Sequence, residues 1–99
     1  MLPLYRFDTL ADSALLHGIS TRLGGASRGH LASLNLGHTV GDDAELAEAN
    51  HRALFAALGI RAEQIVTAHQ VHGNRVALVD RSDIGQVLPE TDALITDAP

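Results

Sequence analysis

The sequence contains no cysteine, no lysine and no tryptophan, and only three aromatic residues, one Tyr and two Phe. Without cysteine there is no disulfide framework and no thiolate to act as ligand or nucleophile, which favours a reducing, cytoplasmic setting. Without lysine there is no Schiff-base chemistry and no phosphate-loop lysine; all seven basic residues are arginine. With 3% aromatic content, a core has to be built from Leu, Val, Ile and Ala. No apolar run approaches the roughly 20 residues that span a bilayer, so no membrane partner is expected. Met1–Leu10 carries Asp8 and lacks the basic, apolar and small-residue order of a signal peptide. A formal net charge of −5 with no basic patch to offset it argues against a nucleic-acid partner.

What remains is a chain of 99 residues, 45% of them hydrophobic. That is enough for one small domain with a thin margin of burial. Alternation from Ala14 to Thr21 predicts a strand, with Leu15, His17, Ile19 and Thr21 on one face. Leu23–Ser27 holds Gly24 and Gly25 and reads as a turn, followed by a short extended stretch at Leu34–Leu36 closed by Gly37. The spacing of Leu46, Ala53, Leu54, Ala57 and Leu58 predicts a helix at about residues 43–58. Asp42 is placed to cap it, with Glu45 completing a capping box and Gly59 ending it. Further strands are expected at Gln64–His69, Asn74–Asp80 and Ala93–Thr96, with a loop over Arg81–Glu90.

Six histidines are present, and their neighbours decide which of them could matter. In His69-Gln70-Val71-His72-Gly73 a neutral imidazole could bind a metal. At a strand end two histidines three apart point to opposite faces, so one ligand is expected, against the alternative of a turn histidine bonded to backbone. In His17–Gly25, Arg22 stands where a strand meets a glycine turn; its planar fork of donors suits phosphate or carboxylate, although a surface arginine beside a turn explains it as well. Ser33 and Asn35 share one strand face, which is either solvated or a pocket wall. Asn50 lies on the apolar side of the helix, where a buried amide needs partners and would tie down a loop. Asp42 and Asp43 are better explained by capping than by acid–base chemistry, and Asp92 is ambiguous.

Taken in order, the blocks His-Gly-Ile-Ser-Thr-Arg-Leu-Gly-Gly-Ala-Ser (17–27), Ser-Leu-Asn-Leu-Gly (33–37), Val-Gly-Asp-Asp (40–43), Glu-Ala-Asn-His-Arg (48–52) and Gln-Val-His-Gly (70–73) resemble the laccase-domain family, also called multicopper polyphenol oxidase-like or YfiH-like. The resemblance covers roughly residues 15–98. It implies an α/β (α+β) fold, a layered sandwich of mixed β-sheet flanked by helices. It also implies that residues 1–99 are the N-terminal portion of a single laccase-like domain whose C-terminal portion is absent here. The family's metal site, zinc rather than copper, is held by two histidines and a cysteine. His72 matches the first histidine, His69 matches no ligand, and the Ala-Asp-Cys and His-Ala-Gly-Trp-Arg-Gly blocks with the other two have no counterpart in this sequence. Arg22 and Asn35 match the Thr-Arg-x-Gly-Gly and Ser-Leu-Asn blocks and are expected near the substrate.

The resemblance implies purine nucleoside chemistry: phosphorolysis of adenosine, inosine and methylthioadenosine, and deamination of adenosine, with nucleoside and phosphate as small-molecule partners. A metal with an open fourth position fits activation of water or of a substrate oxygen. One histidine without a thiolate cannot form a blue-copper centre. The 99 residues alone are expected to be inactive, no catalytic residue being assignable within them. A non-catalytic remnant or partner-binding module is the alternative. Uncovered strand edges at Ala93–Ile95 point to self-association.

Overall fold

The computed structural model describes residues 2–99 and resolves into two compact units, one running to Ile60 and one from Arg61 to Pro99. The elements are of mixed α/β class, with one α-helix and three two-stranded sheets of both strand directions among the described residues.

In the first unit β1 (Leu4–Tyr5) pairs antiparallel with β2 (Ile19–Ser20), Leu4 opposite Ser20 and Tyr5 opposite Ile19. The strand expected over Ala14–Thr21 is thus reduced to two residues, and its partner β1 was not anticipated. Side chains replace the ladder on the N-terminal side: His17 Nε2 accepts the Phe7 N–H at 3.0 Å, and the Arg6 guanidinium donates to the His17 carbonyl. Such local side-chain bonds compete with strand pairing.

Helix α1 spans Ala44–Leu58, within a residue of the expected bounds. Its cap is a correction. Asp43, not Asp42, is the N-cap, its Oδ1 accepting the Glu45 N–H at 2.8 Å. Asp42 is occupied elsewhere, accepting from Ser27 Oγ and from Asn35 Nδ2. Gly59 closes the helix in the left-handed region at φ 71°, a conformation that costs glycine little. The face that packs carries Ala47 and Asn50, at 1% and 0% exposure.

The second unit is built from β3 (Thr67–Ala68), β4 (Val76–Leu78), β5 (Val87–Leu88) and β6 (Ala93–Ile95). β3 pairs parallel with β5, and β4 parallel with β6 in the register Val76–Ala93, Ala77–Leu94, Leu78–Ile95. The strands expected at Asn74–Asp80 and Ala93–Thr96 are present in shorter form. That at Gln64–His69 gives way at its start to a 3₁₀ turn, Ala62–Gln64, where Gln64 Oε1 accepts the Arg61 N–H. The loop expected over Arg81–Glu90 instead holds a 3₁₀ turn at Arg81–Asp83 and strand β5. Two strand residues between Gly85 and Pro89 are too few to show a period. Thr91 is fully buried, its N–H bonded to the His69 carbonyl and its Oγ1 to the Pro89 carbonyl. Side chains alternate across the pleat. In consequence Val76, Leu78 and Ile95 share one face of the β4–β6 sheet, and all three are more than half exposed.

Candidate functional site

The Thr-Arg-x-Gly-Gly and Ser-Leu-Asn blocks are stitched together by backbone. The Arg22 carbonyl accepts the N–H groups of both Ser33 and Leu34, at 2.7 and 2.8 Å, and the Ser27 N–H donates to the Ser33 carbonyl. Ser33 Oγ donates to the Arg22 carbonyl and accepts the Gly25 N–H. At Gly25 a Cβ would collide with the Ser33 carbonyl and lie 2.6 Å from Asn50 Oδ1 and from Leu34 Cα, so only glycine fits. The polar face expected of Ser33 and Asn35 is therefore turned toward protein.

Beneath this junction Asn50 uses its whole amide. Oδ1 accepts the Ala26 N–H at 2.7 Å, and Nδ2 donates to Ser27 Oγ and to the Asn35 carbonyl, both at 2.8 Å. That is the loop-tying role read from its helix position. Ser27 Oγ in turn donates to Asp42. The hydrogen bonds from Ser27 and then Asn35 hold the Asp42 carboxyl below the ordinary aspartate range, against a smaller upward push from burial.

The backbone being so fixed, the Arg22 side chain is left exposed and lines a shallow depression of about 250 Å³ together with His30, Leu31, Ala32, Leu34 and Asn35. Arg22 makes no ion pair among the described residues, where the one salt bridge is Arg61–Glu63. Two of the sequence-derived candidates, Arg22 and Asn35, are thus brought to one concavity. The Asn35 amide, however, is committed to Gly37 and Asp42, so Asn35 shapes the wall. His30 was missed: it stands in a three-residue 3₁₀ turn, Gly29–Leu31, and nothing in its neighbours marked it.

In the second unit His72 is not at a strand end. β3 stops at Ala68, and His72 lies in a turn at φ 58°, a left-handed conformation that non-glycine residues adopt only where the surroundings enforce it. The opposite-face argument for His69 and His72 therefore does not apply. The enforcing group is Asp92, whose role the sequence left ambiguous. Asp92 Oδ1 accepts the Val71 N–H at 2.9 Å and Oδ2 the Gly73 N–H at 3.0 Å, so the carboxylate grips the turn on both sides of His72. Burial pushes the Asp92 carboxyl up, but the N–H groups of Val71, Gly73 and His72, with the His72 imidazole, outweigh it and leave it lowered. The His72 ring is exposed, and its neutral form suits zinc as a donor. No three His, Cys, Asp or Glu side chains among the described residues come together as a group that could hold a metal ion.

The arrangement defines a laccase-like domain of α/β class. Residues 16–99 match the family described as multi-copper polyphenol oxidoreductase laccase, and the chain belongs to that family. It is similar to a purine nucleoside phosphorylase of Mycobacterium tuberculosis, 42% identical over 80 residues that cover 81% of this chain and 32% of the relative. A purine nucleoside phosphorylase of Deinococcus radiodurans is 39% identical over 98 residues, 99% of this chain and 36% of the relative. Among solved structures, YlmD from Geobacillus stearothermophilus superposes with a TM-score of 0.77 at 39% identity, over 81% of this chain and 32% of that one. The chain spans about a third of the length of the curated relatives it matches.

Proposed function

We propose that this chain supplies an anion-binding depression and one metal-ligating histidine to an enzyme that processes purine nucleosides in the cytoplasm. The observation that carries the reading is that Arg22, without an ion pair among the described residues, lines one concavity with His30, in a chain whose relatives are named purine nucleoside phosphorylases. Arginine offers two parallel N–H donors to a phosphate, an arrangement that fixes orientation as well as charge. In phosphorolysis a phosphate oxygen forms the new bond to the sugar C1′ as the glycosidic bond to the purine breaks, and the base leaves with a proton. Arg22 and His30 would hold that phosphate. Adenosine, inosine and methylthioadenosine are the substrates in this reading, and adenosine deamination is a second activity. His72 is assigned as one of three zinc ligands; zinc, rather than copper, would supply Lewis-acid activation of water or a substrate oxygen.

Steady-state kinetics of the native protein with inosine and phosphate test the assignment of Arg22. Arg22→Ala is expected to raise KM for phosphate about tenfold or more, with KM for inosine changed far less. An unchanged phosphate KM would remove Arg22 from the site.

A second reading, a non-catalytic module that binds a partner chain, is favoured by the β4–β6 face, where Leu78 is 84% exposed. A contiguous apolar patch of this kind marks an interaction surface. Native protein that shows no turnover and co-purifies in fixed ratio with a second polypeptide would favour that reading.

A further inference from the structure

Three rings at the surface of the first unit form a column that the anion depression does not account for. Phe55 and His51 lie one turn apart on α1, ring centroids 5.8 Å apart and tilted by 50°. His51 is pinned: its Nε2 lies 2.8 Å from the Leu36 carbonyl, which can only accept, so Nε2 carries the proton and the ring cannot turn without losing that bond. His38 then stacks on His51 with centroids 4.9 Å apart and planes 3° from parallel, inside the range for offset stacked rings. His38 is exposed and takes no hydrogen bond among the described residues. Its ring is therefore oriented by stacking alone, on a base fixed from below.

We propose that His38 is a base-stacking residue for a purine, presenting a preoriented aromatic face to the ligand's ring system. Stacking on an aromatic face gains from the breadth of the base's π-surface and needs no hydrogen-bond code, and a platform ordered in advance avoids the cost of ordering it on binding. The placement supports this ligand class. Leu34 and Asn35 line the depression that holds Arg22 and His30. The Asn35 amide is bonded to both the N–H and the carbonyl of Gly37, the residue before His38. One short, internally braced segment thus runs from the wall of the anion depression to the stacked rings. The inference rests on the purine nucleoside reading and names the residue that would recognise the base.

Titration of the protein at its native mass with inosine, followed by the ring-proton shifts of its histidines in NMR spectra, tests it. Stacking moves the His38 ring protons upfield. Uridine, with a smaller ring, moves them less, and inorganic phosphate leaves them in place. His38→Ala is expected to weaken inosine binding about tenfold and His38→Phe to restore it, with the unfolding transition of both variants unchanged. Inosine binding that leaves the His38 signals still and the His38→Ala affinity intact would overturn the stacking role while leaving the purine reading in place. Failure of inosine and adenosine to bind at all would overturn both.

Discussion

Asp92 holds His72 by the two peptide N–H groups that flank it. One carboxylate oxygen takes Val71 and the other Gly73, and the residue between them is left at φ 58° with its imidazole exposed. The carboxylate grips the peptide backbone from which the ring projects. Asp92→Asn replaces one acceptor by an amide that faces an N–H donor. Hydrogen exchange is the direct measurement: the Val71 and Gly73 amides are expected to exchange about tenfold faster in Asp92→Asn, with those of α1 unchanged. Equal protection in the two proteins would mean that the turn is held by something else.

Asn50 is the buried polar keystone of the first unit, with 0% exposure and three hydrogen bonds. Asn50→Ala leaves the Ala26 N–H, the Asn35 carbonyl and Ser27 Oγ each short of a partner. A buried group left unsatisfied costs about 1–3 kcal/mol, and because solvent can reach part of the opened space the loss of stability is expected at about 2–4 kcal/mol. Urea unfolding gives the value, and a loss below about 1 kcal/mol would contradict the role assigned to the amide.

Asp42 makes stability depend on pH in a defined direction. Its folded carboxyl is held below the ordinary range, first by the Ser27 hydroxyl and then by the Asn35 amide. A group whose folded pKa is depressed stabilises the fold in full above its unfolded value, about 3.9, and this contribution is lost as pH falls through the folded value. The denaturation midpoint is therefore expected to stay level from pH 7 to about 5 and to fall below about pH 4. Asp42→Asn, less stable at pH 7, should lose less on acidification. A wild-type midpoint still level at pH 3 would contradict the account.

The β4–β6 face predicts how the isolated chain behaves. Val76, Leu78 and Ile95 are exposed together, and among the described residues each strand of the pair has a neighbour on one edge alone. Exposed apolar edges pair with other chains. Sedimentation of the 99-residue chain is expected to show concentration-dependent self-association, and Leu78→Glu to shift it toward monomer. A wild-type monomer at all concentrations would sink this prediction.

What the sequence made legible was whatever had a period or a terminator. Helix α1 has an apolar stripe and Gly59, and its bounds were legible to a residue; Asn50, an amide on the apolar side, announced its own role. The cap was misassigned because Asp42 and Asp43 are equally good cap residues locally, and a hydroxyl 15 positions away, on Ser27, decides between them. Strands β1 and β5 are two residues long, too short for alternation to register. His30 went unnoticed and Asp92 stayed ambiguous because their relevance is tertiary: His30 lines the same depression as Arg22, and Asp92 reaches 21 and 19 residues back to grip the His72 turn. The family blocks around Arg22, Asn35 and His72 were readable because their order and spacing are specific, and the match over residues 16–99 bears out the family.

We propose that His72 ligates zinc in an enzyme acting on purine nucleosides. The most direct measurement is zinc content and phosphate-dependent release of hypoxanthine from inosine, on the protein isolated at its native mass, wild type beside His72→Ala. The account predicts bound zinc and hypoxanthine release in the wild type, and a loss of both in the variant, with activity down about a hundredfold or more, as for removal of a metal ligand's support or worse. A His72→Ala protein that keeps its zinc and its turnover would contradict it.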